Sequence, residues 1–147
     1  MRARQGVLRW TPSLVLVFAL CLFEAAASPE RNEACPIAGE HRMSVVHLYF
    51  GRSIKGRPPL TDAEWNAFAA EVLTRNFPYG FTAYDGDGQW LDPKTGAVIR
   101  ERTRIVTAAV QNPRALAAGV QAVSDAYRRR FRQESVGIIS EDVCAAF

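Results

Sequence analysis

Three observations predict a single α+β domain. Four runs rich in β-branched and aromatic residues alternate with two amphipathic stretches, in the order strand, helix, strand, strand, helix, strand. Each amphipathic stretch opens on its own N-terminal signature: Thr61-Asp62-Ala63-Glu64 before the first, Asn112-Pro113 before the second. Two cysteines, Cys35 and Cys144, bracket the whole set. The 147 residues are 48% apolar, 10% aromatic and 22% charged, which suits one compact core and excludes a disordered tail, a collagen-like repeat and a polytopic membrane protein.

The first segment reads as an address. Arg2, Arg4 and Arg9 precede the apolar run Leu14 to Phe23, and Ala25-Ala26-Ala27 supplies small residues for a signal peptidase. The run is about half the roughly 20 residues needed to span a bilayer. A secretory signal over residues 1–27, cleaved after Ala27, is expected, with an uncleaved anchor as the competitor. Cleavage lowers the 18 basic and 15 acidic residues to 15 and 14 by removing three arginines and Glu24. The net charge of +3 becomes +1, so no global basic field argues for nucleic acid or an anionic membrane surface. The expected location is periplasmic or extracellular, with no stable membrane insertion of the mature chain.

Residues 28–42 carry no periodicity and are expected to be an extended lead-in; residues 43–147 are expected to form the domain. Met43 to Phe50 reads as a strand, with Val46, Leu48 and Phe50 on its apolar side. Gly51 to Leu60 is a loop. Thr61 and Glu64 form a capping box, and Trp65, Phe68, Ala69 and Val72 follow at helical spacing. Phe77-Pro78-Tyr79-Gly80 ends that helix. Phe81 to Tyr84 reads as a short strand closed by the turn residues Asp85-Gly86-Asp87-Gly88. Ala97 to Val110 is the longest strand. The second helix shows an apolar stripe of Leu116, Val120, Val123 and Tyr127, and Arg128 to Arg130 sit in its last turn, where cations suit the helix dipole. Ser135 to Ser140 is the last strand. This order is that of a ferredoxin-like split βαβ sandwich, an antiparallel four-stranded sheet with both helices on one face. Its sheet order, 4-1-3-2, sets the end of the last strand beside the start of the first. Cys35 and Cys144 lie just beyond those two points, so they are expected to form one disulfide.

Several short motifs run through the mature chain: Leu48-Tyr49-Phe50-Gly51, Trp65 with Phe68, Phe77-Pro78-x-Gly80-Phe81-Thr82, Gly88-Gln89-Trp90, Arg100-Glu101-Arg102 and Gln133-Glu134-Ser135-Val136. In combination they resemble a family of small exported bacterial proteins known only as a domain of unknown function. The resemblance implies a single exported domain and carries no catalytic residue across.

Candidate chemistry is sparse. DGDGQWLD lacks the oxygen ligand and the glycine that a calcium loop needs at its fifth and sixth positions, which are Gln89 and Trp90, so it reads as a solvated turn. Arg100, Arg102 and Arg104 alternate along the long strand and so share one face. The expectation is that this is the face without helices, shared with His47 and Tyr49, where a solvated strand competes with a site for a carboxylate or phosphate. His47 as a general base needs an orienting partner, and Glu134 or Glu101 is the nearest candidate. Ser135 lacks the elbow and base that a nucleophile requires. No grouping calls for a metal or an organic cofactor. The function expected is an exported, disulfide-stapled module that binds a small anionic ligand or a protein, its partner mode a homodimer through the open sheet face. The alternative is a small enzyme of the dimeric α+β barrel type, with His47, Tyr49, Arg102 and Glu134 acting on an acidic or phenolic molecule.

Overall fold

A computed structural model describes residues 34–147; the predicted signal, its cleavage site and the start of the lead-in lie outside the described residues. Ala34 to Glu40 is a turn rather than an extended segment, closed by the Glu40 amide donating to the Ile37 carbonyl at 3.2 Å. The first strand, β1 (His41–Gly51), therefore begins two residues earlier than its apolar alternation suggested. Thr61 caps helix α1 (Asp62–Phe68), and the capping box with Glu64 forms as expected. The helix continues without a break through a π-helical stretch, Ala69–Leu73, into a last turn, α2 (Thr74–Asn76). Strands β2 (Thr82–Leu91) and β3 (Val98–Val110) make a hairpin, helix α3 spans Pro113–Phe131, and β4 is Gly137–Ala145.

All neighbouring strands are antiparallel and their order is β2-β3-β1-β4. With both helices on one side, this is the ferredoxin-like sandwich. β1 is central because it is the strand buried on alternate residues throughout: Val46, Leu48 and Phe50 meet Ala108, Val106 and the helices. Phe50, Trp65, Phe68, Tyr127 and Phe131 form a cluster of tilted and edge-on rings, the shortest centroid separation being 4.7 Å between Phe50 and Tyr127. The π-helical stretch explains how the first helix contributes. Its buried residues are Trp65, Phe68, Leu73 and Phe77, so the step from Phe68 to Leu73 is five residues rather than three or four. One wide turn absorbs the extra residue and keeps both ends of the helix facing the core. α3 crosses closely at Gly119, where a Cβ would stand 3.1 Å from the Asn76 carbonyl.

The Asp85-Gly86-Asp87-Gly88 turn is corrected by the structure. Those residues lie inside β2, paired with Arg104 to Glu101. The reversal comes later, where the Asp92 carboxylate takes hydrogen bonds from the Lys94 amide (2.9 Å) and the Thr95 hydroxyl (2.8 Å), and Gly96 takes a φ of 68°. Gly86 belongs in the strand because a Cβ there would meet Ile105 at 2.8 Å. A glycine that makes room for a neighbour looks, in sequence, like a glycine that turns the chain.

The predicted disulfide is present. Cys35 and Cys144 are joined, with Cα atoms 5.6 Å apart, across 109 positions of sequence. β4 runs to Ala145 against His41, which carries Cys144 to the place where the chain enters the sheet.

Candidate functional site on the open sheet face

Register decides which side chains share a face. His47 stands opposite Thr107 and Ile139, and Tyr49 opposite Ile105 and Gly137; Tyr84 faces Ile105 from the other side. These residues point away from the helices. One row across the open face thus reads Tyr84, Ile105, Tyr49, Gly137, and the next Thr82, Thr107, His47, Ile139. Gly137 has no side chain because Tyr49 lies over it: a Cβ there would be 3.1 Å from the tyrosine Cβ. Tyr84 is 47% exposed and Ile139 55%. None of the outward positions on the four strands is lysine or arginine.

The polar centre of this face is His47. Its Nδ1 lies 2.9 Å from the Thr107 hydroxyl and its Nε2 lies 3.3 Å from a carboxylate oxygen of Glu141. Two ring nitrogens with two partners fix the orientation of the imidazole. Glu134 does not take part: it is exposed past the end of α3, where its backbone carbonyl accepts from Arg128 Nε at 3.0 Å. Glu101 is also engaged elsewhere, accepting from the Ser53 amide at 2.9 Å. The sequence reading missed Glu141 because it ended the last strand at Ser140. The strand continues, which brings Glu141 diagonally beside His47.

The arginine row is corrected as well. Arg104 is registered with Phe50, so Arg100, Arg102 and Arg104 lie on the helix side, opposite to His47 and Tyr49. The premise that charge follows solvent onto the open face fails because β3 is 13 residues long and outruns the helix layer. Val106 and Ala108 are covered; the arginines on the same side emerge where the helix layer stops. There they meet acids. Arg104 reaches Asp62 at 3.1 Å and Asp85 at 3.3 Å, Arg52 reaches Asp62 at 3.0 Å, and Arg102 reaches Asp85 at 3.5 Å. Arg104 also lies 5.6 Å from the Trp65 ring centroid. The cluster ties the start of α1 to the sheet. An incoming carboxylate or phosphate would compete with carboxylates already in place.

Three of the motifs converge on one stretch of backbone. Tyr127 donates to the Gly51 carbonyl at 2.9 Å, Glu101 accepts from Ser53, and the Gln133 side chain donates to the Ser53 carbonyl at 2.6 Å. Burial, with the Glu101 carboxylate nearby, pushes Tyr127 well above the ordinary phenol range, so its hydroxyl stays a donor. At Gly51 a Cβ would stand 2.6 Å from Glu101 Oε1, so a larger residue there would displace the Glu101 carboxylate from the Ser53 amide. Among the described residues, one grouping has metal-ligand spacing, Cys35, Glu40 and Cys144, and its two sulfurs are bonded to each other.

Fold and face together define a small ferredoxin-like domain with one uncovered sheet surface. Residues 46–147 match the family described as "Protein of unknown function (DUF3574)", and the chain belongs to that family. No curated protein matches it. Among solved structures, a phage SAM lyase in complex with S-methyl-5'-thioadenosine is similar at a TM-score of 0.54 and 14% identity, over 79% of this chain and 95% of the lyase. CutA from Synechococcus elongatus is similar at a TM-score of 0.50 and 9% identity, over 71% of this chain and 80% of CutA. At these identities the likeness is one of fold alone. Among the described residues no helix is long and apolar enough to cross a membrane.

Proposed function

We propose that the domain is an exported protein-interaction module, and that it associates through the open face of its sheet, first of all with a second copy of itself. The observation that carries this reading is the composition of that face: tyrosines, isoleucines and valines, no lysine or arginine, and a histidine whose partners lie within the face. An antiparallel sheet with one face left in water ordinarily alternates apolar residues inward with polar residues outward. The two outward carboxylates of this face, Glu101 and Glu141, are engaged by the Ser53 amide and by His47, which limits like-charge repulsion between two copies. Export is supported by the apolar N-terminal run and by a disulfide that persists in oxidising compartments. Size-exclusion chromatography with light scattering tests the association. Wild type should be larger than one chain, and Tyr84→Glu should have a lower mass at equal concentration. A wild type that stays monomeric at every concentration reached would overturn the reading.

A second reading, enzymatic, is favoured by one observation, the Glu141–His47–Thr107 line. A carboxylate orienting an imidazole whose other nitrogen meets a hydroxyl is the geometry of a general base. Arg102 and Glu134 no longer belong to that site. Diethyl pyrocarbonate separates the two readings, since the chain has only two histidines, both on the outward side of β1. Association predicts that His47 modification falls as protein concentration rises. An accessible base predicts that it stays constant.

A further inference from the structure

The β2–β3 hairpin extends beyond the rest of the sheet. β1 parts from β3 at Gly51 opposite Thr103, whereas β2 and β3 stay paired for five further rows, from Asp87 opposite Arg102 to Leu91 opposite Val98. A two-stranded ribbon without a packed face is marginal in water. Yet the helix-side surface of this arm ends in Leu91 and Val98, which are 63% and 53% exposed. At the opposite corner of the sheet, α3 packs over β1 and β3 and leaves the helix side of β4 open. A cleft of about 390 Å³ lies between α3 and β4, with Leu116 and Val120 on one wall, Ile138 on the other, and Glu141 and Asp142 among its lining residues.

The two surfaces are complementary in two independent respects. Apolar side chains at the arm's end match the apolar walls of the cleft. Lys94 and Arg100 stand on the arm beside them, against the Asp142 carboxylate on the helix side of β4, which accepts from the Ser44 hydroxyl at 2.8 Å. The Glu141 carboxylate is turned to His47 on the other face. On the arm itself, Asp92 is held below the ordinary carboxylate range by hydrogen bonds from the Lys94 amide and the Thr95 hydroxyl, and Asp87 stands opposite Arg102 in the ladder. Arm and cleft cannot meet within one chain. The cleft lies at Ser44 and the arm begins past Gly51, about 24 Å apart along β1 at the rise of a strand. They also sit on opposite edges of the sheet.

We infer that the β2–β3 arm of one copy docks its Leu91–Val98 end into the α3–β4 cleft of a second copy. Such a contact is head-to-tail: each copy offers an arm to one neighbour and a cleft to another. It uses the helix side of the sheet, so it is separate from the open-face association proposed above, and the two can be removed one at a time.

Sedimentation velocity on the purified, oxidised protein tests it in a Tyr84→Glu background, where the open face is disabled. That protein should still self-associate. Adding Leu91→Glu or Ile138→Glu, both at exposed positions, should reduce it to single chains with unchanged circular dichroism. Mixing those two double variants should restore a one-to-one dimer, because one retains a working cleft and the other a working arm. A monomeric Tyr84→Glu protein, or a mixture that stays monomeric, would overturn the arm-and-cleft contact while leaving the open-face reading standing. If Tyr84→Glu instead retains the full mass of wild type and loses it only with Leu91→Glu, the arm contact stands and the open-face reading falls.

Discussion

At Glu64, one exposed carboxylate serves two elements at once. It accepts from Arg57 at 2.8 Å and from the Thr61 amide at 2.9 Å, closing the cap of α1 and pinning the loop before it. The Arg57 hydrogen bond, followed by those from Thr61, lowers its pKa from the ordinary 4.5 to about 2. A carboxyl depressed by folding contributes stability that is present above its unfolded pKa and lost as pH falls toward its folded one. The difference in urea midpoint between wild type and Glu64→Gln should therefore be constant above about pH 5 and shrink toward zero near pH 2. Because the pair is exposed, added salt should reduce the difference as well. A difference independent of pH would show that the carboxylate charge is not what matters there. The capping box was legible from Thr61 and Glu64 alone, since its partners lie within one turn. The side of the sheet taken by Arg104 was not, because alternation relates residues along a strand and says nothing about which face the strand turns to the helices. That choice was made by Phe50, across the ladder.

At the scale of elements, the first helix and the hairpin each depart from regular geometry. The π-helical stretch keeps Leu73 and Phe77 in the core after Phe68. Inserting a second alanine after exposed Ala70 adds a residue beyond the one the wide turn absorbs, and should rotate everything after it by about 100° out of phase. The expected loss is about 2–5 kcal/mol, comparable to truncating a buried leucine, with helical content unchanged. Chemical denaturation followed by circular dichroism measures both, and an unchanged midpoint would mean that the helix can widen further to accommodate the insertion. The sequence showed the helix but not its wide turn, because Ala69 and Val72 fit regular spacing and are in fact only half-buried. β2 was read too short for a similar reason. Its two glycines fit tightly against Ile105, Thr103 and the Glu101 backbone, contacts that are invisible until the strands are paired.

For the molecule as a whole, topology and disulfide support each other. The order of elements gave the strand order, the strand order set the start of β1 beside the end of β4, and the cysteines are joined where that arrangement places them. Removing the bridge with Cys144→Ser should destabilise the fold by about 4–5 kcal/mol on the chain-entropy account, given a loop spanning 109 positions. Guanidinium unfolding of oxidised and substituted protein reads that difference, and a loss below about 1 kcal/mol would mean that the unfolded chain is already held compact. The sequence made the staple and the fold legible because both follow from element order. It left the open-face site half-legible: His47 and Tyr49 were placed correctly on the outward side, while Glu141 and Thr107 required the register.

The claim on which the functional account rests is that the outward rows around His47 are a contact surface. A dilution series monitored by backbone amide chemical shifts tests it most directly. The account predicts concentration-dependent shifts that are largest at Tyr84, Ile105, Tyr49 and His47 and small at Val123 and Tyr127 within α3. Spectra unchanged by dilution, or shifts confined to the helices, would contradict it.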